Sequence, residues 1–443
     1  MPPPGLCLVI LGMVSGTPPE VVSLDLEGKV ETLVGTNLSP GVPPGTVSTL
    51  FNFTPGVVLK DLSQTGQLKL SYTPLLYFFV PSGVFPSELL VLNRFTYEAT
   101  NALSRTVSLS LTGALWFGDV NYSPVVSLGA PPGTGTGQPP GTVLPPGQLP
   151  QVQLIRVLTS STQLSLGLIT SSTVVVTLAA GFLYSEGTNA ASRLELPLQR
   201  GPYLLARSDV QLNERDTLTP ALRVGLLSYG PIFQTGGAGT ENGSTVVIPH
   251  FQEGLNLFGT ELTLKWGHQE GRELHTEFAA GAALFNESSS YDVITDQGPL
   301  LWYSRSSLVP ANTFVDPIVR ATLLYRVNPE EEQPLVLGAF AALAPVINQF
   351  QGTVYERVEA SLSADWGPSP TLRLSAFAAL ADSFSPQELD VRGEVRAVWT
   401  PATSVALALG GRVAWVNYAI PSTFNGFSWT VFFSITGATG ALF

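Results

Sequence analysis

From Val21 onward, apolar side chains alternate with polar or small ones over segments of about 9–14 residues. A strand sends successive side chains to opposite faces, so a period of two marks a strand with one apolar face. Thr106 to Phe117 shows the pattern clearly. Val107, Leu109, Leu111, Leu115 and Phe117 share one face; Ser108, Ser110, Thr112 and Ala114 share the other. Between Thr371 and Leu380, Leu372, Leu374, Ala376 and Leu380 alternate with Arg373, Ser375, Phe377 and Ala379. Near the end, Phe427, Trp429, Val431, Phe433 and Ile435 alternate with Ser428, Thr430, Ser434 and Thr436. The longest apolar runs, such as Leu75 to Val80, fall far short of the about 20 residues a transmembrane helix needs.

The segments are joined in a rhythm. Short polar turns recur at Ser63–Gly66, Asn101–Arg105, Thr170–Ser172, Asn213–Asp216, His268–Arg272, Asn328–Gln333, Gly367–Pro370 and Thr400–Thr403. Between them lie mostly longer stretches, including Gly35–Gly45, Gly118–Pro150, Ser185–Gly201, Tyr229–Pro249 and Asn286–Phe314. Eight short turns make eight hairpins, and one strand at each end brings the count to 18. Sixteen is the alternative, because the first strand and the region from Gln151 to Thr170 are the hardest to place.

Composition decides what the strands build. Charged residues are only 12% of 443, about half the ~25% of a soluble domain, and mean hydropathy is +0.26. Such a chain belongs in lipid, where every backbone N–H and C=O must be paired within the protein. Without apolar helices, a closed barrel remains. The expected fold is all-β: one transmembrane antiparallel up-and-down barrel of 16–18 strands, spanning 20–443. Its short turns are expected to be periplasmic and its long loops extracellular, with both termini in the periplasm. The 43 Gly and 36 Pro suit many turns.

Residues 1–19 read as a signal-peptide remnant or a periplasmic N-terminal segment. Leu6 to Val14 is short and apolar, like a signal core, but Met1-Pro2-Pro3-Pro4 lacks a positive leader. Cys7 is the one cysteine, so no intramolecular disulfide can form, and its apolar segment follows rather than precedes it, unlike a lipoprotein cysteine. Gly118–Pro150 carries repeated Pro-Pro-Gly and reads as a flexible or polyproline-like loop.

A charge facing lipid at mid-membrane costs about 2–4 kcal/mol for Arg or Lys, so charges within strands should face the lumen. Asp390, Arg392, Glu394 and Arg396 share one face, opposite Val391, Gly393, Val395 and Ala397. Arg357, Glu359 and Asp365 form a second inward row. Smaller sets are Arg207 with Asp209, Arg223, Glu261 with Lys265, His275 with Glu277, Arg320 with Arg326, Arg373, and Arg412. Two readings stand side by side: a charged wall that selects solutes, and structural ion pairs bridging strands. The wall from Arg357 to Arg396 is the densest. Asn93 and Glu356 fall on the lipid face by strict alternation, which implies an interface position or a bulge. Aromatics lie near strand ends, at Tyr72, Tyr77, Trp116, Tyr184, Tyr229, Trp266, Tyr325, Trp366, Trp399 and Trp415, as interfacial girdles would.

Other chemistry is thin. Net charge is −12 and no Lys/Arg cluster exists, which argues against nucleic acid. No zinc or EF-hand spacing occurs, so neither metal nor cofactor is expected. Glu330-Glu331-Glu332 falls in a short turn and reads as a solvated run. There are three His and no G-x-S-x-G elbow. His250 with Asp292 and Asp296 is the best enzymatic combination, and a solvated loop explains it more simply.

The parity of the last strand continues to Phe443. A C-terminal aromatic on the lipid face resembles the insertion signal of bacterial outer-membrane barrels, although Gly437, Thr439 and Ala441 are weaker than that family's usual residues. The rhythm of turns and loops resembles that family over roughly Val21 to Phe443. Ala191-Ser192-Arg193 and Leu196 to Pro202 look similar to uncharacterised porin-type barrels of myxobacteria. That resemblance implies location and fold and brings no assigned site residues. The implied partners are membrane lipid, lipopolysaccharide, the outer-membrane insertion machinery and small solutes. The expected function is a channel or passive transporter for small solutes. The alternatives are a structural or adhesive barrel displaying loops, or uptake of hydrophobic compounds through a lumen lined as Leu335–Ile347 suggests. A hydrolase ranks last.

Overall fold

The alternating segments form strands because β-branched and aromatic side chains suit a pleated, half-buried surface. The computed structural model describes residues 21–38, 43, 45–63, 65–80, 89–122, 153–189, 192–193, 196–230, 232–241, 244–296, 301–305, 309–331, 333–347, 354–384, 387–418 and 426–439. Within 121–122, 153–154, 232–254, 289–312, 384–388 and at 418 the description covers backbone only. The strands are β1 (Val21–Thr36), β2 (Val47–Leu62), β3 (Gly66–Tyr72), β4 (Leu75–Val80), β5 (Leu90–Ala102), β6 (Val107–Tyr122) and β7 (Gln153–Ser171). There follow β8 (Val174–Gly187), β9 (Gln199–Gln211), β10 (Asp216–Tyr229), β11 (Ile232–Glu241), β12 (Ser244–Glu270), β13 (Leu274–Asp296) and β14 (Leu301–Arg305). The rest are β15 (Val309–Val327), β16 (Leu335–Ile347), β17 (Val354–Ser369), β18 (Leu372–Phe384), β19 (Gln387–Ala402), β20 (Val405–Tyr418) and β21 (Gly426–Ala438).

These 21 strands make a closed antiparallel barrel of 18 staves. β3 and β4 are halves of one stave, since each pairs with β2 on one side and β5 on the other. β11 pairs only with 244–252 of β12, and β14 only with 292–296 of β13. The barrel closes where β1 pairs with β21, from Glu27 opposite Ala438 to Gly35 opposite Thr430. Side chains lock both ends of that seam: Leu26 N–H donates to Thr439 Oγ1 at 3.0 Å, and Asn37 Nδ2 donates to Ser428 Oγ at 2.9 Å.

All eight expected short turns are present, at 63–65, 103–106, 172–173, 212–215, 271–273, 328–334, 370–371 and 403–404. Two use left-handed backbone, at Gly271 and Asn328, residues that tolerate positive φ. The opposite end differs from expectation. Much of Tyr229–Pro249 and Asn286–Phe314, read above as loops, is strand backbone in β11, upper β12, upper β13, β14 and early β15. Beyond a bilayer a hairpin needs only its ladder of hydrogen bonds, so it carries no lipid-facing alternation to read.

The break between β3 and β4 falls at Thr73-Pro74. Proline has no N–H to give the ladder. Thr73 N–H donates to the Arg94 carbonyl at 2.9 Å, and Arg94 Nε donates back to the Thr73 carbonyl at 3.0 Å.

The outer face is apolar all round. Leu204, Leu262, Val315, Leu362, Val395 and Leu409, on six different staves, are each more than half exposed. Leaving such side chains in water would forfeit about 1.5–3 kcal/mol apiece, so this exterior suits lipid. No described helix is long and apolar enough to cross a membrane. Tyr72, Trp266, Tyr325, Trp366 and Trp399 point outward near the short-turn end or at the β3 break. Tyr77, Trp116 and Tyr229 do not join a girdle. Tyr77 and Tyr229 are buried on the inner face, and Trp116 packs against the cluster that contains Tyr77. Glu356 keeps an unbroken register near the start of β17. Asn93 faces outward opposite Phe117 and is capped there by the Tyr72 hydroxyl, which donates to its Oδ1 at 2.8 Å.

Candidate functional site: the inner face of the barrel

The residues opposite the outward apolar side chains point into the barrel. By this parity every charged residue expected to face the lumen lies on the inner face: Arg207 and Asp209 on β9, Arg223 on β10, Glu261 and Lys265 on β12, His275 and Glu277 on β13. Arg320 and Arg326 on β15, Arg357, Glu359 and Asp365 on β17, and Arg373 on β18 follow. Asp390, Arg392, Glu394 and Arg396 on β19 and Arg412 on β20 complete the set.

Most of them are paired. Across neighbouring strands, Arg223 meets Glu261 at 3.3 Å, Lys265 meets Glu277 at 2.8 Å, Arg373 meets Asp365 at 2.6 Å and Arg412 meets Glu394 at 2.8 Å. Along single strands, Arg207 meets Asp209 at 2.7 Å, Arg357 meets Glu359 at 3.0 Å and His275 meets Glu277 at 3.5 Å. Arg392 grips both carboxylate oxygens of Asp390 through Nε and Nη2. Arg326 Nη1 donates to the Arg272 carbonyl at 3.4 Å. Arg320 and Arg396 form no ion pair among the described residues.

The along-strand pairs have a cause. On β16 and β18 the inner positions beside the charges are small: Ala342 and Ala344 face Glu359 and Arg357, while Ala381 lies between Glu359 and Asp390. Arg392 likewise lies opposite Ala379 on β18 and Ala414 on β20. Each guanidinium turns to the residue two along its own strand, on the same face.

Several inner-face groups escaped the sequence reading. Lys60 meets Asp25 at 2.6 Å and Lys29 meets Glu31 at 2.9 Å, with Asn52 Nδ2 donating to Glu31 at 3.3 Å. The period-two run Glu27, Lys29, Glu31 was a readable signal for part of this. Arg94 had none, because its role follows from the proline break beside it.

The two halves of the lumen differ. Towards the short turns the inner charges remain accessible: the Arg373 and Asp365 side chains are 68% and 39% exposed, Arg207 and Asp209 45% and 37%. Towards the other end Arg392 and Asp390 are covered, only 4% and 7% exposed, and Arg357 is 9% exposed. There the inner face is otherwise largely apolar. Leu33, Leu50, Tyr77, Phe79, Leu92 and Phe432 form one cluster on the arc from β21 through β1 to β5, and Leu38 folds in to join it. Leu257, Ala283, Phe285 and Ile318 form another, on β12, β13 and β15. Between them Arg412 lies over the Phe432 ring at 4.5 Å, and Arg223 over Tyr203 at 5.2 Å. Tyr203 rests on Gly181, where a Cβ would collide with its ring, and donates to Gln163 Oε1 at 2.9 Å.

Phe443, the core of the Pro/Gly-rich loop from 123 to 150, and the side chains of His250, Asp292 and Asp296 lie outside the described residues. The backbone register sets His250 opposite Val293, next to Asp292. Among the described residues no group of three His, Cys, Asp or Glu could hold a metal ion.

No protein-family model and no curated protein matches the sequence. Among solved structures, the chain is similar in outline to the ferric-catecholate import receptor Fiu of E. coli K12, with 8% identity and a TM-score of 0.48 over 96% of this chain and 82% of that one. It is similar to OccAB2 of Acinetobacter baumannii, with 10% identity and a TM-score of 0.47 over 96% and 99% of the two chains. It is also similar to OpdL of Pseudomonas aeruginosa, with 11% identity and a TM-score of 0.45 over 95% and 99%.

Proposed function

We propose that the protein is an outer-membrane channel through which small solutes pass without an energy source, with both termini on the periplasmic side. One observation carries this reading: inner-face ion pairs such as Arg373–Asp365 and Arg207–Asp209 point into the barrel and still meet solvent. A barrel of about 16–18 strands leaves an aqueous interior unless something fills it, and matched pairs on its wall favour polar solutes of either sign. Lipid and lipopolysaccharide surround the outer wall in this reading, and the insertion machinery places it there. The reading is not enzymatic. His275 bonds Glu277, and His268 bonds Asp216 while stacking on Trp266, so neither imidazole is set against a hydroxyl.

The apolar clusters of the long-loop half favour a second reading, the uptake of hydrophobic compounds. Planar-bilayer conductance of the purified, folded barrel separates the two. Stable open steps support the water-filled channel. A folded but silent barrel removes it and leaves the hydrophobic route.

A further inference from the structure

β15 and β16 stop pairing before either strand ends. Their last partners are Val319 and Leu343, yet β15 extends back to Val309 and β16 runs on to Ile347. Continued in register, the ladder would set Ile318 opposite Ala344, Pro317 opposite Pro345 and Asp316 opposite Val346. Each strand keeps its other neighbour over this stretch: β13 pairs with β15 as far as Val309, and β17 pairs with β16 as far as Ile347. The two prolines account for the break. Neither has an N–H to give, and proline within a sheet is confined to edges and bulges.

The end of the β16–β17 hairpin turns inward beside it. Leu337 and Leu362 face outward, and alternation from them would send Ile347 and Val354 outward as well. These two are partners in the ladder. Both instead pack against the inner-face cluster of Leu257, Ala283, Phe285 and Ile318. Ile347 also reaches the cluster of Tyr229 and Leu255, and it lines a recess of about 40 Å³ with Leu183, Tyr203 and Phe285. The hairpin end thus occupies part of the lumen and leaves an unpaired seam in the wall beside it.

The seam lies at membrane depth. Pro317 is eight residues from Tyr325, which points outward near the short-turn end, and a strand needs about 9–11 residues to cross. Sheet edges are not left open to hydrocarbon, and irregular backbone is tolerated at that depth only beside protein or a water-filled cavity. Phe314, Pro317 and Ile318 border the seam on one side, and Ala344, Pro345 and Val346 on the other. Asp316 is the one charge on these two stretches, and an acid there repels anions.

We propose that the seam is a side portal through which neutral, largely apolar solutes move between the lumen and the lipid leaflet on the long-loop side. This goes beyond the axial channel and does not need that channel to be open.

The test is uptake by Gram-negative cells expressing the full-length barrel. One probe is N-phenyl-1-naphthylamine, neutral and apolar, which fluoresces on reaching lipid. The other is nitrocefin, polar and anionic, whose hydrolysis by a periplasmic β-lactamase reports the axial route. Pro317→Val together with Pro345→Val returns both missing N–H groups and should zip the seam. The expected result is loss of the naphthylamine uptake that the barrel confers, with nitrocefin entry unchanged. A second variant guards against failure to fold: Asp316→Cys with Val346→Cys, in a Cys7→Ser background, assayed before and after bridging by a short bismaleimide. Naphthylamine uptake should be lost on bridging alone. Undiminished uptake in the sealed barrels overturns the proposal. Loss of both probes together also overturns it, because both solutes would then share the axial route. An unsubstituted barrel that admits nitrocefin but no naphthylamine loses the portal and keeps the channel; the reverse loses the channel and keeps the portal.

Discussion

The two halves of the lumen use the same residue types in opposite ways. Near the short turns, Arg373 and Asp365 meet in reach of solvent, where an ion pair contributes little, typically about 0–1 kcal/mol. Near the long-loop end, Arg392 and Asp390 meet under cover, beside an apolar cluster. There the pair is an obligation, since each charge is tolerable only while the other is present. The difference is one of dielectric surroundings, and it teaches that an inward charge in a barrel has no fixed meaning until its depth is known.

Removing one partner at each depth gives the largest contrast. Arg392→Ala strands Asp390 and should cost about 3–5 kcal/mol. Arg373→Ala should cost under about 1 kcal/mol. Urea unfolding followed by tryptophan fluorescence reads both. Equal losses would mean that the two halves are equally wet.

The apolar half can be loosened next. Leu50→Ala removes a side chain only 1% exposed from the inner cluster. The expected loss is about 2–5 kcal/mol, depending on how far Leu33 and Phe79 collapse into the space. If this half sets the narrowest passage, single-channel conductance should rise in the same variant. Unchanged conductance in a destabilised barrel would move the constriction elsewhere.

The sequence displayed these halves unequally. Where the inner face is largely polar, as on β19 and β21, alternation is clean, and strands, facing and turns are all legible. Where it is apolar, both faces of a strand read alike. β1 places Val30 and Val34 outward and Leu33 inward, and β7 places Leu164 outward but Ile155 and Val157 inward. These are the strands whose placement the pattern left uncertain, and the cause is apolar packing on their inner faces, in two separate clusters. The split at Pro74 and the hairpins at β11 and β14 were illegible for another reason: local hydrogen bonds decide them, and lipid does not. The inward charges were readable because lipid forbids them elsewhere. Their pairing along strands was not, since it depends on which small residues of β16 and β18 come opposite the charges, and that is set by register.

The smallest effect concerns the accessible half, and it isolates electrostatics from packing. Asp365→Asn keeps the shape but removes the charge and one acceptor, uncovering Arg373, which otherwise donates to both carboxylate oxygens at 2.6 and 2.9 Å. Stability should change by less than about 0.5 kcal/mol, as for an exposed substitution. Reversal potentials across a salt gradient should move towards anions, by roughly a twofold change in permeability ratio near 0.1 M salt, where the Debye length is about 10 Å. At 1 M that length falls to about 3 Å and the shift should vanish. Asp390→Asn makes the control. Under cover, salt cannot screen it, so its consequence should be loss of stability at either concentration. If both variants respond to salt alike, the covered half is in contact with bulk water and the contrast between the two halves fails.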